Sequence, residues 1–385
     1  MNPPRLLIVG SLPPPYSGYE TATEVLLNSG LDKSFKVKFV DTRTTRDPSS
    51  RGKVNVSNIL VTAIVWWRLF FSLVVFRPHL ANVPLAQNRA GFLKWLILAC
   101  SCKVFGARVV SRLGGSSFRE FYECSGALMR CVIRAGLKIP SKIIVRGASL
   151  KSQFNGLVSI HNIVVVPNGF DVSSWNKGFV KERRDEGKLH VLYLGQVSKA
   201  KGVFDLIEAI ALLKREDPEG FTFKIAGPVI ERERNILHVD SPESTSAAIR
   251  DMLDAHSISP EDIEFLGEVS WDEKRRLYEW ADVLVLPSYS EGFPYTVLEA
   301  FASSCVVVCT PVGALPDFLS NQEQVLFVST HAPSEILNAL VLLKEEKIHI
   351  RLLKRARSFL EKNHGLEVFS SRMVYVFNDA LNMES

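Results

Sequence analysis

The chain alternates short apolar runs with longer stretches of helical periodicity. RLLIVG (5–10) is compact and apolar, and the apolar residues of ETATEVLLNSGL after it return at helical spacing. VKFVD, ARVVSRL, SKIIVR and NIVVVPN repeat the strand-like run further on. None alternates polar with apolar residues, as expected of parallel strands covered on both faces. The pattern breaks at WNKGFVKERRDEGK (175–188), a charged, Gly-containing segment that reads as a linker. It then restarts. LHVLYLG leads into KGVFDLIEAIALLKRE, and FTFKIAG, IEFLG, DVLVLPS, CVVVCT and VLFV follow, with helices between several of them. The prediction is an α/β chain of two doubly wound domains, 1–175 and 188–365. The helix LEVFSSRMVYVFNDAL (366–381), apolar on one face, is expected to pack back on the first. A length of 385 residues suits two cores better than one. Ligands of such folds bind at the carboxyl ends of the strands, and a cleft between two domains is the natural site.

Two apolar stretches depart from this alternation. NILVTAIVWWRLFFSLVVF (58–76) has the length of a membrane span, but Arg68 near its middle would be costly in lipid. FLKWLILACSCKVF (92–105) repeats the mixture of apolar bulk, Trp and Lys. Two readings stay open for both, helices lying on a membrane surface and ordinary buried helices of an α/β domain, with a true span as a third for 58–76. Charge sharpens the first. Residues 1–175 hold 22 Lys/Arg against 8 Asp/Glu, and the remainder 24 against 33, so a +14 half is joined to a −9 half. The first half is therefore the one expected to meet an anionic surface or substrate. The basic residues are interleaved with apolar helices rather than gathered in a stripe with exposed aromatics, which fits a nucleic-acid binder poorly.

The six cysteines, mostly in apolar surroundings and without a Cys-x2-Cys pair, read as buried free thiols in a reducing compartment. The start, MNPPRLLIVG, has an apolar run too short for a secretory leader. The expected location is cytoplasmic, peripheral on the inner face of the cytoplasmic membrane. The eight histidines, among them His79, His161 and His190, show no metal-ligand spacing, so no catalytic metal is expected.

The chemistry concentrates in SEGFPYTVLEA (290–300). The strand DVLVLPS opens into a loop at Glu291, and Pro294 suits the first turn of the helix after it. The amides near Phe293 to Val297 then favour an anion. Gly292 lets backbone approach that anion, and Thr296 adds a hydroxyl donor. Glu299, three residues after Thr296, shares its face and can accept hydrogen bonds from vicinal ribose hydroxyls. Glu291, on the far side of the turn, is placed for a hydroxyl-bearing sugar beyond the phosphates. The pattern points to a nucleotide-sugar.

SEGFPYTVLEA closely resembles the donor-binding signature of the retaining glycosyltransferase family 4, whose members have the GT-B fold of two Rossmann-like domains facing across a cleft. VVVPNGFD (164–171), LGQVSKAKGVFDLIEAI (194–210), IEFLGEVSWDEKRRLYEWADVLVLPS and VVVCTPVGALPDFL resemble further segments of that family, so the likeness covers most of the chain. The resemblance implies that Lys201 holds the donor diphosphate, that Glu291 acts near the donor sugar and that Glu299 binds the ribose. Gly292, Phe293, Pro294, Tyr295 and Thr296 match the turn that meets sugar and phosphate. Gln196 stands where the family usually has a basic residue. Gly18, in SLPPPYSGYE, matches a glycine-rich loop that closes on donor and acceptor, with Ser17 in place of a frequent second glycine. In RLGGSSFREFYE (112–123), Gly114 stands where many members have a histidine. Arg112, Arg119 and Arg146 are candidate substrate contacts, a surface-charge role being at least as ordinary for each.

The implied activity is a retaining, metal-independent, hexosyltransferase-like reaction. It needs no cofactor beyond a nucleotide-diphosphate-sugar as donor substrate. The expected acceptor is a glycan or lipid-linked oligosaccharide, in cell-surface polysaccharide or lipopolysaccharide synthesis, with an anionic membrane surface as a further partner. Two alternatives stay open: a nucleotide-sugar epimerase or hydrolase of the same fold, and a catalytically decayed, non-enzymatic partner subunit, which Gln196 and Gly114 would allow.

Overall fold

The computed structural model describes residues 3–14, 16–43, 56–175, 188–230, 244–259 and 261–383. Its contacts group into two compact units, Met1–Phe170 with His364–Ser385, and Asp171–Asn363. The first holds strands β1 (Arg5–Gly10), β2 (Lys36–Asp41), β3 (Leu80–Leu85), β4 (Arg108–Leu113), β5 (Lys142–Val145) and β6 (Ile163–Val165). They form one parallel sheet in the order β2-β1-β3-β4-β5-β6. Helices α1 (Gly18–Leu27), α2 (Val56–Phe76) and α3 (Arg89–Val104) belong to this unit. The second holds β7 (Leu189–Leu194), β8 (Phe221–Ala226), β9 (Ile263–Gly267), β10 (Val283–Leu286), β11 (Val306–Cys309) and β12 (Leu326–Phe327). These are also parallel, in the order β12-β11-β10-β7-β8-β9. The α/β class of two doubly wound sheets follows from the buried, non-alternating strands.

Each sheet is covered by apolar helix faces. In the second unit, Leu206, Ile207 and Ile210 of the helix Val203–Glu216 join Val191, Val283 and Val285 in one buried cluster. In the first, Phe92 and Trp95 of α3 pack with Phe118 and Phe154, and the Trp95 indole N–H donates to Ser111 Oγ at 3.0 Å. The helix Leu366–Asn382 buries Phe369, Met373, Val376 and Phe377 within the first unit. At about 1.5–3 kcal/mol for each such side chain, that face holds the helix. Gly169 is required beneath it, because an added Cβ would lie 2.4 Å from the Phe369 ring.

The division differs from the expected boundaries at both ends. Trp175 packs into the second unit, against Trp271 and Tyr278, with its indole donating to Ser303 Oγ. His364 and Gly365 belong to the first, where His364 Nδ1 donates to Asn168 O at 2.7 Å and Gly365 bridges Phe170. Most of the 175–188 linker lies outside the described residues. Strand β3 was not legible in the sequence, because Asn82 and Pro84 interrupt its apolar run. Its pairing with β1 covers only Leu80–Asn82, so Pro84 falls where the strand is paired on its β4 side alone. All six cysteines are free thiols, but only Cys102, Cys305 and Cys309 are buried. Cys100, Cys124 and Cys131 are exposed: Cys100 and Cys131 lie on outer faces of their helices, and Cys124 follows the end of the charged helix Phe118–Glu123. Among the described residues no helix is long and apolar enough to cross a membrane.

Candidate active site

In the second sheet β7 is first in sequence, with β8 and β9 built to one side and β10 to the other. The loops after β7 and β10 therefore flank the point where strand order reverses, the place where open parallel sheets bind ligands. Backbone geometry draws these two loops together. Lys201 closes a short 3-10 turn, Lys199–Lys201, and Gly202 follows at φ +69°. A Cβ on Gly202 would come within 2.0 Å of Pro287 O, so only glycine lets the loops approach this closely. Tyr289 N–H donates to Ala200 O at 2.9 Å and ties them again.

The result places Lys201 Nζ 2.7 Å from Glu291 Oε1. Lys201 also donates to Ser290 O at 3.4 Å, and Ser288 Oγ donates to the same Glu291 oxygen at 2.8 Å. Lys201 and Glu291 keep 25% and 11% of their side chains exposed, enough for an approaching ligand to reach either. The loop after β11 supports this pair from below. Gly313 adopts φ +62°, and a Cβ there would lie 2.0 Å from Glu291 O. Ala314 N–H donates to the carbonyl of the buried Gly292 at 2.8 Å. Burial, and then the Glu291 charge, raise the Cys309 thiol far above its ordinary range, so it is held as a neutral thiol.

The helix Tyr295–Ala302 opens beside this pair. Pro294 is its N-cap, at φ −71° and ψ 135°, one position earlier than the first-turn place expected of it; the extended ψ sets it outside the helix. No side chain caps the helix, and the amides of Thr296 and Val297 lie in its first turn, where an anion is favoured. Phe293 is buried edge-on against Phe318 and fixes the loop, and Tyr295 is buried as well. Thr296 has a buried hydroxyl oxygen with no partner among the described residues.

Glu299 is only 1% exposed and already engaged. Its Oε1 accepts from Lys274 Nζ at 2.5 Å and its Oε2 from the Tyr278 hydroxyl at 2.9 Å. Lys274 is itself buried and lies 5.5 Å from the Trp271 ring centre. Burial, and then the Glu299 charge, hold the Tyr278 phenol well above its ordinary value, so it remains a donor. Sequence reasoning missed Lys274, Tyr278, Ser288 and Gly313. A signal for the first two existed: Trp271, Lys274 and Tyr278 fall at i, i+3 and i+7, one face of a helix.

The remaining candidates are dispersed. Gln196 is exposed, and its backbone carbonyl accepts from the Tyr193 hydroxyl at 2.6 Å. Gly18 belongs to the first unit, as the first residue of α1. Ser17, before it, caps α1 by accepting from Tyr19 N at 3.4 Å, and its hydroxyl donates to the buried Glu20. Ser11, after β1, donates to Glu20 at 3.3 Å. Gly114 is exposed with nothing within 4 Å of an added Cβ, whereas one on Gly115 would meet Gln87 Nε2 at 2.0 Å. Arg112 and Arg146 are buried rather than on the surface, donating to Ala22 O at 3.2 Å and Val166 O at 3.4 Å. Arg119 is bound to Glu123 at 2.6 Å and Asn155 O at 2.7 Å. Among the described residues no three His, Cys, Asp or Glu side chains are grouped to hold a metal ion.

Comparison with known proteins falls on these same loops. Residues 176–359 match the glycosyl transferases group 1 family. That span includes every side chain of the Lys201–Glu291 and Lys274–Glu299 pairs. D-inositol 3-phosphate glycosyltransferase of Corynebacterium glutamicum is 29% identical over 238 residues, 58% of this chain and 53% of that protein. The chain spans about half the length of the curated relatives it matches. Sucrose-phosphate synthase of Thermosynechococcus elongatus aligns with a TM-score of 0.73 at 15% identity, over 98% of both chains. Alr3699/HepE of Anabaena, solved in complex with UDP, aligns at 0.70 and 14% identity, over 98% of this chain and 100% of its own. At these identities the likeness concerns the fold alone, the two doubly wound α/β units described above.

Proposed function

We propose that this chain is a group 1 glycosyltransferase, retaining and metal-independent. It takes a sugar from a nucleotide-diphosphate-sugar and passes it to a glycan acceptor, in the synthesis of a cell-surface polysaccharide or lipopolysaccharide. The observation that carries the reading is the Lys201–Glu291 pair, set at the strand-order reversal beside an uncapped helix start. The group 1 match and a neighbour solved with UDP support it.

In this reading the diphosphate takes the amides opening at Pro294 and the orphan hydroxyl of Thr296. Lys201 moves from Glu291 to a phosphate oxygen, and Glu291 is freed to accept from a hydroxyl of the donor sugar. The acceptor oxygen attacks the anomeric carbon on the face that the leaving group occupies. The bond from that carbon to the diphosphate oxygen breaks, and the acceptor proton passes to the leaving diphosphate. Lys201 and the helix amides stabilise the charge as it develops there. Gln196 supplies no charge to this process, so Lys201 carries more of it.

Glu299 has a second reading, which its contacts favour. With both oxygens bound and almost no exposure, it is a buried structural ion pair anchoring the helix Tyr295–Ala302. A carboxylate accepts about four hydrogen bonds, so lone pairs remain for ribose hydroxyls, but reaching them requires side chains over Glu299 to move.

Thermal unfolding with UDP, GDP, ADP and their glucose conjugates tests the function, followed by donor turnover with and without a glycan acceptor. One nucleotide family is expected to stabilise the chain by about 2.7 kcal/mol at a hundredfold excess over its Kd. Turnover should require acceptor. No shift with any nucleotide would overturn the reading, and acceptor-independent turnover would replace it with an epimerase or hydrolase.

A further inference from the structure

The first unit carries an exposed apolar surface that the proposed reaction does not use. Among the described residues, ten of the nineteen exposed large apolar or aromatic side chains lie between Ile64 and Phe105. On α2, Ile64, Trp67, Phe71 and Val74 project at helical spacing, while Val65, Leu69, Ser72 and Leu73 form the buried face that packs toward β2. On α3, Leu93, Ile97 and Val104 are exposed, opposite buried Phe92, Trp95, Leu98 and Cys102. Trp67 is 69% exposed and Val104 82%, values at which no neighbour among the described residues shields them. The two helices present one continuous patch. Trp67 stacks on Phe70 at 6.1 Å, and Phe70 meets Phe105, just past α3, edge-on at 5.7 Å. An exposed apolar patch of this kind marks an interaction site.

Charge identifies the partner. Between Asp47 and Glu120 the sequence has no acid, but ten Lys and Arg residues. Arg68 sits between Trp67 and Phe70 on the exposed face of α2, and Arg77, Arg89 and Lys103 are exposed at or near the helix ends. Lys38 lies 5.8 and 5.7 Å from the ring centres of Phe71 and Phe76. A second copy of the chain would set this basic patch against itself, like charge on like. An acid-free, aromatic-rich face rimmed with Lys and Arg suits an anionic lipid surface, where rings enter the headgroup boundary and cations meet the headgroups.

We infer that the exposed faces of α2 and α3 dock this protein on the surface of an anionic bilayer. The inference is independent of the donor site and stands whichever sugar, if any, the second unit binds.

Flotation of the full chain tests it, with vesicles of phosphatidylcholine alone against vesicles also containing phosphatidylglycerol. The wild type should float with the anionic vesicles, and added salt should weaken the binding. Trp67→Ser with Phe71→Ser and Val75→Ser should lower partitioning at least about tenfold. Arg68→Glu with Lys103→Glu, which alters charge and little apolar surface, should also lower it by about tenfold or more. All five positions are exposed, so unfolding temperatures should stay close to the wild type. A wild type that stays in solution with both vesicle types overturns the inference. So does a triple variant that floats as well as the wild type. A concentration-dependent dimer dissolved by the same triple substitution, without vesicle binding, would assign the patch to a second copy instead.

Discussion

The two units share an architecture and differ in what their loops and outer faces present. Each is a six-stranded parallel sheet whose strand order reverses beside its first strand. In the second unit the loops at that reversal are drawn together by Gly202, Gly313 and the Lys201–Glu291 pair, and the exposed large apolar side chains among its described residues are scattered singly, at Val229, Phe265, Val341 and Ile350. In the first, the corresponding loop end is fixed by neutral and charged contacts around Glu20, and the apolar exposure is gathered on two neighbouring helices. The sheet supplies position in both cases, and the side chains on loops and outer faces decide what each unit meets.

The sharpest way to break this contrast is to remove the chemistry from the second unit. Lys201→Ala and Glu291→Ala should each lower donor turnover by about a hundredfold or more, with vesicle flotation unchanged. Loss of flotation in either variant, or retention of turnover, would dissolve the division between the units.

The buried pair beneath the site comes next. Lys274→Met leaves Glu299 buried without its cation and should destabilise the chain by about 3–5 kcal/mol in denaturant unfolding. Lys274→Met with Glu299→Leu should recover most of that loss, because the desolvated charge goes with its partner. If the double variant also keeps nucleotide affinity, Glu299 is an anchor; if affinity falls while stability returns, it contacts the nucleotide.

The first unit should respond to acid through His364. Burial is the larger cause that depresses this imidazole to about 4, from an ordinary 6.5, against the opposing bond to Asn168 O. The unfolded chain therefore takes up the proton first. The stabilisation is complete above pH 6.5 and is lost as pH falls through about 4, amounting to about 3 kcal/mol. His364→Asn, whose amide nitrogen can replace Nδ1, should flatten that part of the stability profile measured by circular dichroism. An unchanged profile would remove His364 from the account.

The smallest effect is expected at Gly114. Its open surroundings should let Gly114→Ser pass within about 0.5 kcal/mol of wild-type stability, whereas Gly115→Ser must displace Gln87 and should be visibly less stable.

Much of the fold was legible because parallel strands buried on both faces leave compact apolar runs, as in β1, β7, β10 and β11. Strand β3 was not, since Pro84 and Asn82 carry a turn signal that only its pairing overrides. The loop at Glu291 was legible because Gly-Phe-Pro punctuates a strand and a helix. Lys274 was hidden in WDEKRR, a run that reads as a solvated face; its burial depends on Glu299, twenty-five residues away, and periodicity reports a face without reporting what covers it. Helices α2 and α3 were visible as apolar bulk, with Arg68 at the centre of the first, but only three-dimensional exposure separates an outward face from a buried one.

The central claim is that the loops after β7 and β10 grip a nucleotide diphosphate. A crystal structure with the nucleotide that gives the largest thermal shift tests it most directly. The account predicts a phosphate oxygen within hydrogen-bonding distance of Lys201 Nζ and of an amide at the start of the helix Tyr295–Ala302. A diphosphate bound elsewhere, with Lys201 still on Glu291, would contradict it.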